Sequence, residues 1–159
     1  KQKTAYEMLR SLVGSEMCIR DSFNAPLPQE DHVLRALRAA LHIQEHVREL
    51  HCRQPSACHM DYGIGVNLGE AVVGNVGTEQ RLDYTAIGQC VNLARRLQEA
   101  ARPGQILISE AVYQRAGQAI EARPLPPLHV EGMGAPIVLY ELVGLRAGKA
   151  TRARPSKRC

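Results

Sequence analysis

Apolar side chains recur every three to four positions from Gln29 to about Cys52, where Val33, Leu37, Ala40, Leu41 and Val47 form one stripe. That spacing predicts a long amphipathic helix packed on a sheet. A proline-punctuated loop, Asn24 to Pro28, precedes it. Met60 to Asn67 and Ala71 to Val76 read as strands joined by a Leu68-Gly69-Glu70 turn, a predicted β-hairpin that Gly74 to Thr78 closes into a loop. Leu82 to Ile87 alternates and carries Tyr, Thr and Ile, so a short strand is expected there. Gly88 breaks it, and Gln89 to about Ala101 has helical spacing, with Leu93 and Leu97 four apart. Arg102-Pro103-Gly104 stops that helix. Gln105 to Ile108 then reads as a strand, and Ser109 as the N-cap of a short helix running to about Ala116. Further strands are expected at Ala119 to Arg123, Leu128 to Glu131 and Ile137 to Val143, the last two joined around Gly132-Met133-Gly134. There is no internal repeat. Helices and hairpins in this order predict an α+β domain with a largely antiparallel sheet.

Composition narrows the class. A length of 159 residues suits one domain with a sizeable core. Aromatic residues make up only 4% of the chain, with no Trp, which argues against a base-stacking nucleic-acid surface. No apolar run approaches the roughly 20 residues that span a bilayer. The net charge of +4 comes from one end: Arg146, Lys149, Arg152, Arg154, Lys157 and Arg158 are six basic residues without an acidic one, and subtracting them leaves −2 for the rest. Residues 146–159 therefore read as a basic disordered tail or linker, with a nucleic-acid or lipid-binding arm as the other reading. Five cysteines form an odd set without a regular framework, which points to a reducing compartment and a cytoplasmic domain. Residues 1–22 lack the periodicity of the rest, and Ser11 to Ser22 runs abruptly into Phe23-Asn24-Ala25-Pro26. They read as a non-native leader of translated adapter or vector sequence.

Three patterns invite a chemical reading. His42-Ile43-Gln44-Glu45-His46 matches the inverted zinc-protease pattern H-x-x-E-H, but at about 100° per residue both histidines fall opposite the apolar stripe, beside Arg35, Arg38 and Glu49. His51-Cys52 and Cys58-His59 do not have the spacing of a zinc finger. Gly63-x-Gly65-x-x-x-Gly69 departs from a dinucleotide fingerprint in spacing, and a strand rather than a helix follows, so these glycines are read as permitting a turn and close backbone approach. The pattern with most promise is a strand, a glycine, and a helix carrying Asn92 and Arg96 one turn apart. An amide and a guanidinium on one face suit a phosphate-bearing ligand. Alone, such a pair reads as a solvated helix face.

The stretch GIGVNLGEAVVGNVGTEQRLDYTAIGQCVNLARRLQEAARPGQILISEAVY closely resembles the class III adenylate/guanylate cyclase catalytic domain. Phe23-Asn24-Ala25-Pro26, the helix after it and Val138-Leu139-Tyr140-Glu141-Leu142 fit the same family. The resemblance covers about residues 23–145 and implies a ferredoxin-like βαββαβ nucleotide cyclase fold lacking its first strand, with a mostly antiparallel sheet and flanking helices. It implies conversion of a nucleoside triphosphate, ATP by this reading, to the 3′,5′-cyclic monophosphate and pyrophosphate. In such domains a homodimer, or a pair with a related cyclase domain, builds the site between protomers. By the same resemblance Arg96 is the transition-state arginine, Asn92 the ribose-orienting amide, and Thr85 the residue that reads the purine edge.

Mg²⁺ or Mn²⁺ is expected for the intact family domain, and here the sequence departs from the pattern. The family's two metal-binding aspartates have no match. Asp21 is the nearest candidate, but it stands too close to Phe23 and lacks a preceding glycine. Gln89-Cys90 replaces a frequent Asp-Thr, Arg95 a frequent small residue, and Glu131 and Met133 stand where lysines are common. The expectation is thus an adenylate cyclase fragment, inactive by itself, with no nucleic-acid partner. Its alternatives are a non-catalytic cyclase-like module that binds nucleotide or regulates a partner, and a nucleic-acid binder that uses the basic tail.

Overall fold

Four strands form the main sheet, and the chain reaches them through three helices and a separate hairpin. The computed structural model describes residues 20–53, 62–78, 81–129 and 135–146, with the side chains of 76–78 and 81–83 outside that description. In chain order the elements are α1 (His32–Arg53), β1 (Ile64–Val66), β2 (Val72–Thr78), β3 (Arg81–Ile87), α2 (Gln89–Ala100), β4 (Ile106–Ser109), α3 (Glu110–Ala116), a 3₁₀ turn (Gly117–Ala119), β5 (Ile120–Pro124) and β6 (Leu139–Leu145). The fold is α+β: β1 pairs parallel with β4, while β4 with β6 and β5 with β6 are antiparallel.

The sheet is covered on both faces because β4 is apolar on both. Ile106 and Ile108 point to one side, where they meet Val33, Leu37 and Ala40 of α1 and Val112 and Ala116 of α3. Leu107 points to the other, against Leu97 of α2 and Leu139. Strand alternation thus assigns each residue of β4 to one of two cores. Of the expected α1 stripe, Val33, Leu37 and Ala40 are buried and Leu41 packs against them, and Gln44, which was not expected there, is buried as well. His42 and His46 lie exposed on its far side, where the Nδ1 of His46 sits 2.8 Å from the His42 carbonyl oxygen. Leu37 is 0% exposed, so Leu37→Ala is expected to lower the unfolding free energy by about 3 kcal/mol. Urea denaturation measures that loss directly.

Strand pairing differs from the expectation in one respect. Met60–Asn67 and Ala71–Val76 do not form a hairpin. Instead β1 pairs with β4 (Ile64↔Ile106, Gly65↔Leu107, Val66↔Ile108), and β2 forms the hairpin with β3, from Val72↔Ile87 to Thr78↔Arg81. The reason is burial. Ile64 and Val66 have a core to enter beside α1, whereas Val72 on β2 stays 78% exposed in the separate hairpin. Gly74 and Gly77, read as loop formers, lie within β2 in register with Thr85 and Leu82.

Smaller corrections follow. β1 spans Ile64–Val66, and Met60 and Asp61 lie outside the described residues. The expected strand at Leu128 to Glu131 is represented by an isolated Leu128↔Ile137 bridge, with Glu131 outside the described residues. Ser109 occupies the N-cap position of α3, but its hydroxyl makes no capping bond, and its Oγ is buried without a partner. Cys90 is free while Cys52 is disulfide-bonded, so the cysteines are not all thiols. An odd count leaves room for a pair wherever Cα atoms come within bonding reach, which spacing in sequence does not reveal.

Candidate functional site

α2 is positioned by the backbone of β1. A Cβ on Gly65 would collide with the Ala94 carbonyl oxygen and the Gln98 nitrogen, and one on Gly63 with Ala101. Gly65 within β1 and Gly63 just before it thus let α2 and its C-cap rest directly against this segment, the close approach read from these glycines. Leu97 is fully buried beneath the helix, and Leu93 packs beside it.

The first turn of α2 is clamped by the segment before β2. Asn67 donates from Nδ2 to the Cys90 carbonyl at 2.9 Å, and the Cys90 thiol donates to the Glu70 carbonyl at 3.0 Å. Gly88 admits this segment, since a Cβ there would lie 3.1 Å from the Glu70 oxygen. The buried Leu93–Leu97 face and the clamped first turn together fix which side of α2 looks outward.

That outward side carries Asn92, Arg95, Arg96 and Glu99, all exposed. Asn92 and Arg96 sit one turn apart, as the spacing requires. Thr85 lies on β3, directly before Gly88 and α2, and is half-buried in register with Gly74. The three candidate residues therefore stand on one continuous strand–helix unit.

Glu99 was not singled out from the sequence, yet it organises the arginines. Its carboxylate accepts from Arg95 Nε at 2.8 Å and from Arg96 Nη1 at 3.0 Å. Its position four after Arg95 and three after Arg96 was the available signal. These bonds, that from Arg95 first and that from Arg96 second, hold the Glu99 carboxyl below its ordinary pKa. A depressed carboxylate pKa means the pairing is present above the ordinary glutamate range and is lost as pH falls through the lowered value. A carbon-detected NMR titration should find Glu99 titrating below an ordinary glutamate, and Arg95→Ala should move it back toward that range. An ordinary midpoint in the unsubstituted protein would show the pairs are not held in solution.

The described residues contain no group of three or more His, Cys, Asp or Glu side chains placed to hold a metal ion. Asp21 is exposed on the loop before α1. These residues do not fit the divalent cation that the resemblance implies.

The profile of the adenylate and guanylate cyclase catalytic domain matches residues 11–144. The chain belongs to this cyclase family. Adenylate cyclase 1 of Rhizobium meliloti (strain 1021) is 33% identical over 136 residues, which is 82% of this chain and 20% of the relative. The terminal-differentiation-specific adenylate cyclase of Dictyostelium discoideum is 30% identical over 133 residues, covering 79% of this chain and 6% of its own length. The cyclase chain thus spans a fifth or less of these two relatives. Among solved structures, the guanylyl cyclase Cya2 superposes with a TM-score of 0.74 at 32% identity, covering 80% of this chain and 66% of that one. The adenylyl cyclase CyaB from P. aeruginosa gives 0.71 at 30% identity, covering 78% and 66%. Among the described residues of the cyclase chain, no helix is long and apolar enough to cross a membrane.

Proposed function

We propose that this cyclase domain supplies the transition-state half of a composite site that converts ATP to 3′,5′-cyclic AMP and pyrophosphate. The carrying observation is the Asn92–Arg96 face, held outward by a helix whose opposite side is locked onto β1. In the reaction the ribose 3′-oxygen attacks the α-phosphorus in line. The bond to the bridging oxygen breaks, pyrophosphate leaves, and the 3′-hydroxyl proton is lost. Negative charge gathers on the α-phosphoryl oxygens as this happens. A forked, permanently charged guanidinium at Arg96 stabilises that charge, and it acts most strongly where the ground state carries least of it. Asn92 orients the ribose, a positioning role. Thr85 reads the purine edge and favours adenine.

A second protomer fits the surface of the hairpin. Val72, Tyr84 and Ile87 are 78%, 52% and 56% exposed, apolar area on β2 and β3 that a partner chain would cover. The carboxylates missing from the described residues would then come from elsewhere in the intact domain, on the partner's side of the site. Residues 23–145 form the partial domain by this reading, with 1–22 a leader and 146–159 a tail. The chain as it stands is inactive, and its nucleotide substrate argues for a cytoplasmic setting.

The test is to extend the domain N-terminally until it carries the family's two aspartates and incubate it with Mn²⁺ and either ATP or GTP. Cyclic AMP as the main product is expected. Cyclic GMP as the main product would refute the role given to Thr85. A folded dimer that binds nucleotide and forms neither product would favour the non-catalytic module.

A further inference from the structure

Between the C-terminal half of α1 and the turn after α2 lies a cleft of about 210 Å³, lined by Gln44, Arg48 and His51 on the helix and by Tyr62, Pro103 and Gly104 opposite. None of Thr85, Asn92 or Arg96 lines it. Gln44 is the anomaly. It continues the buried stripe of Val33, Leu37 and Ala40 one turn further, where a side chain without polar atoms would normally sit. It is only 6% exposed. Its Oε1 accepts from Arg48 Nη2 at 3.4 Å, a long contact for a charged donor. Its Nε2 is buried with no hydrogen-bond partner. A buried amide donor left unpaired is destabilising, and such groups in folded proteins are ordinarily satisfied.

The surrounding chemistry says what would satisfy it. Arg48 brings a permanent positive charge, and no described carboxylate forms an ion pair with it. Tyr62 donates its hydroxyl to the Ile43 carbonyl at 3.3 Å. Burial pushes that phenol up against the opposing pull of Arg48, so it remains neutral near pH 7. No carboxylate is among the cleft-lining residues described. The volume is several times the roughly 30 Å³ that one water occupies in the liquid. It is below the roughly 300–1,000 Å³ of drug-sized sites.

We propose that this cleft is a binding site for a small oxyanion, phosphate or a short-chain carboxylate, held by the Arg48 guanidinium and by the Gln44 amide, whose buried Nε2 turns toward the cleft as the anion enters. The far wall is tied to the main sheet. Gly104 N–H donates to the Tyr62 carbonyl at 2.9 Å, and Ile64 N–H donates to the Gln105 carbonyl at 2.9 Å. A bound anion would therefore join the end of α1 to the turn that terminates α2.

The test titrates sodium phosphate, and separately sodium succinate, into the purified chain at constant ionic strength balanced with sodium chloride. Proton–nitrogen NMR of the Gln44 side-chain amide reports occupancy without any need for turnover. This keeps a failed site distinct from a failed assignment of the cyclase reaction. A saturable shift is expected with at least one of the two anions, and which one responds identifies the ligand class. Arg48→Met, at an exposed position, should weaken binding by about tenfold or more, the effect of losing a charge-assisted contact. Gln44→Leu should do the same when the melting-temperature shift is read, and Arg96→Met should leave the response intact. A linear response shared with chloride would overturn the proposal, as would a shift that survives both cleft substitutions. So would a shift abolished by Arg96→Met, because the anion would then be bound at the Asn92–Arg96 face.

Discussion

Arg96→Ala, made in a domain extended to carry the family's two aspartates, is expected to lower kcat about a hundredfold or more, the usual consequence of removing one donor to developing charge. The loss should fall mainly on kcat, with KM changing little. In the proposed role the guanidinium acts on charge that appears during in-line attack rather than on the ground-state triphosphate. Arg96→Lys restores charge without the planar fork and should recover only part of the rate. Structural collapse does not explain such a result, because the Arg96 side chain is 52% exposed and its described bond is to Glu99 on the same helix. Circular dichroism and melting temperature should be nearly unchanged. Full activity in Arg96→Ala would remove the reading of α2 as the transition-state half of the site.

Gly65→Ala is expected to be the most disruptive glycine-to-alanine change among the described residues, with a cost of about 3 kcal/mol or more. The new Cβ would meet the Ala94 carbonyl oxygen and the Gln98 nitrogen, both backbone atoms of α2 that cannot rotate aside. Relief requires α2 to lift from β1, which would withdraw Leu97 from its place against Leu107 and Leu139. In an active extended domain the same variant should lose activity in parallel with stability, since Asn92 and Arg96 ride on the displaced helix. Gly74→Ala is the control: nothing lies within 4 Å of its added Cβ. Urea unfolding of the two variants measures the difference. Equal stability would mean that α2 does not rest on β1 as described.

Much of this was legible along the chain. α1 and α2 follow from apolar spacing, and their buried residues are largely those of the stripes: Val33, Leu37 and Ala40 on one, Leu97 on the other. β3, β4, α3 and β5 fall within a residue or two of the expected bounds. The candidate face of Asn92 and Arg96 needed only the helical period, because side chains four apart stack whatever the helix packs against. Glu99 is equally readable by spacing, four after Arg95 and three after Arg96.

Pairing was less legible. The Leu68-Gly69-Glu70 link resembles a hairpin turn, and local sequence does not reveal that β1 prefers a parallel partner some forty residues on. That choice depends on where Ile64 and Val66 find a core, a property of the assembled sheet. Gln44 shows the same limit from the other side. By period it belongs to the buried stripe, but only the tertiary arrangement shows its Nε2 unpartnered at the wall of a cleft.

The sequence by itself determined the elements, the family and the outward pairing of Asn92 with Arg96, all of which rest on local periodicity or on motif order. Tertiary structure decided that β1 joins β4, that β2 and β3 leave the main sheet as a separate hairpin, and that Gly63 and Gly65 are the seat of α2. The physical reason is common to these cases. Helical phase is set by neighbours within one turn, whereas strand partners and close backbone contacts are set by competition for buried area among segments far apart in the chain.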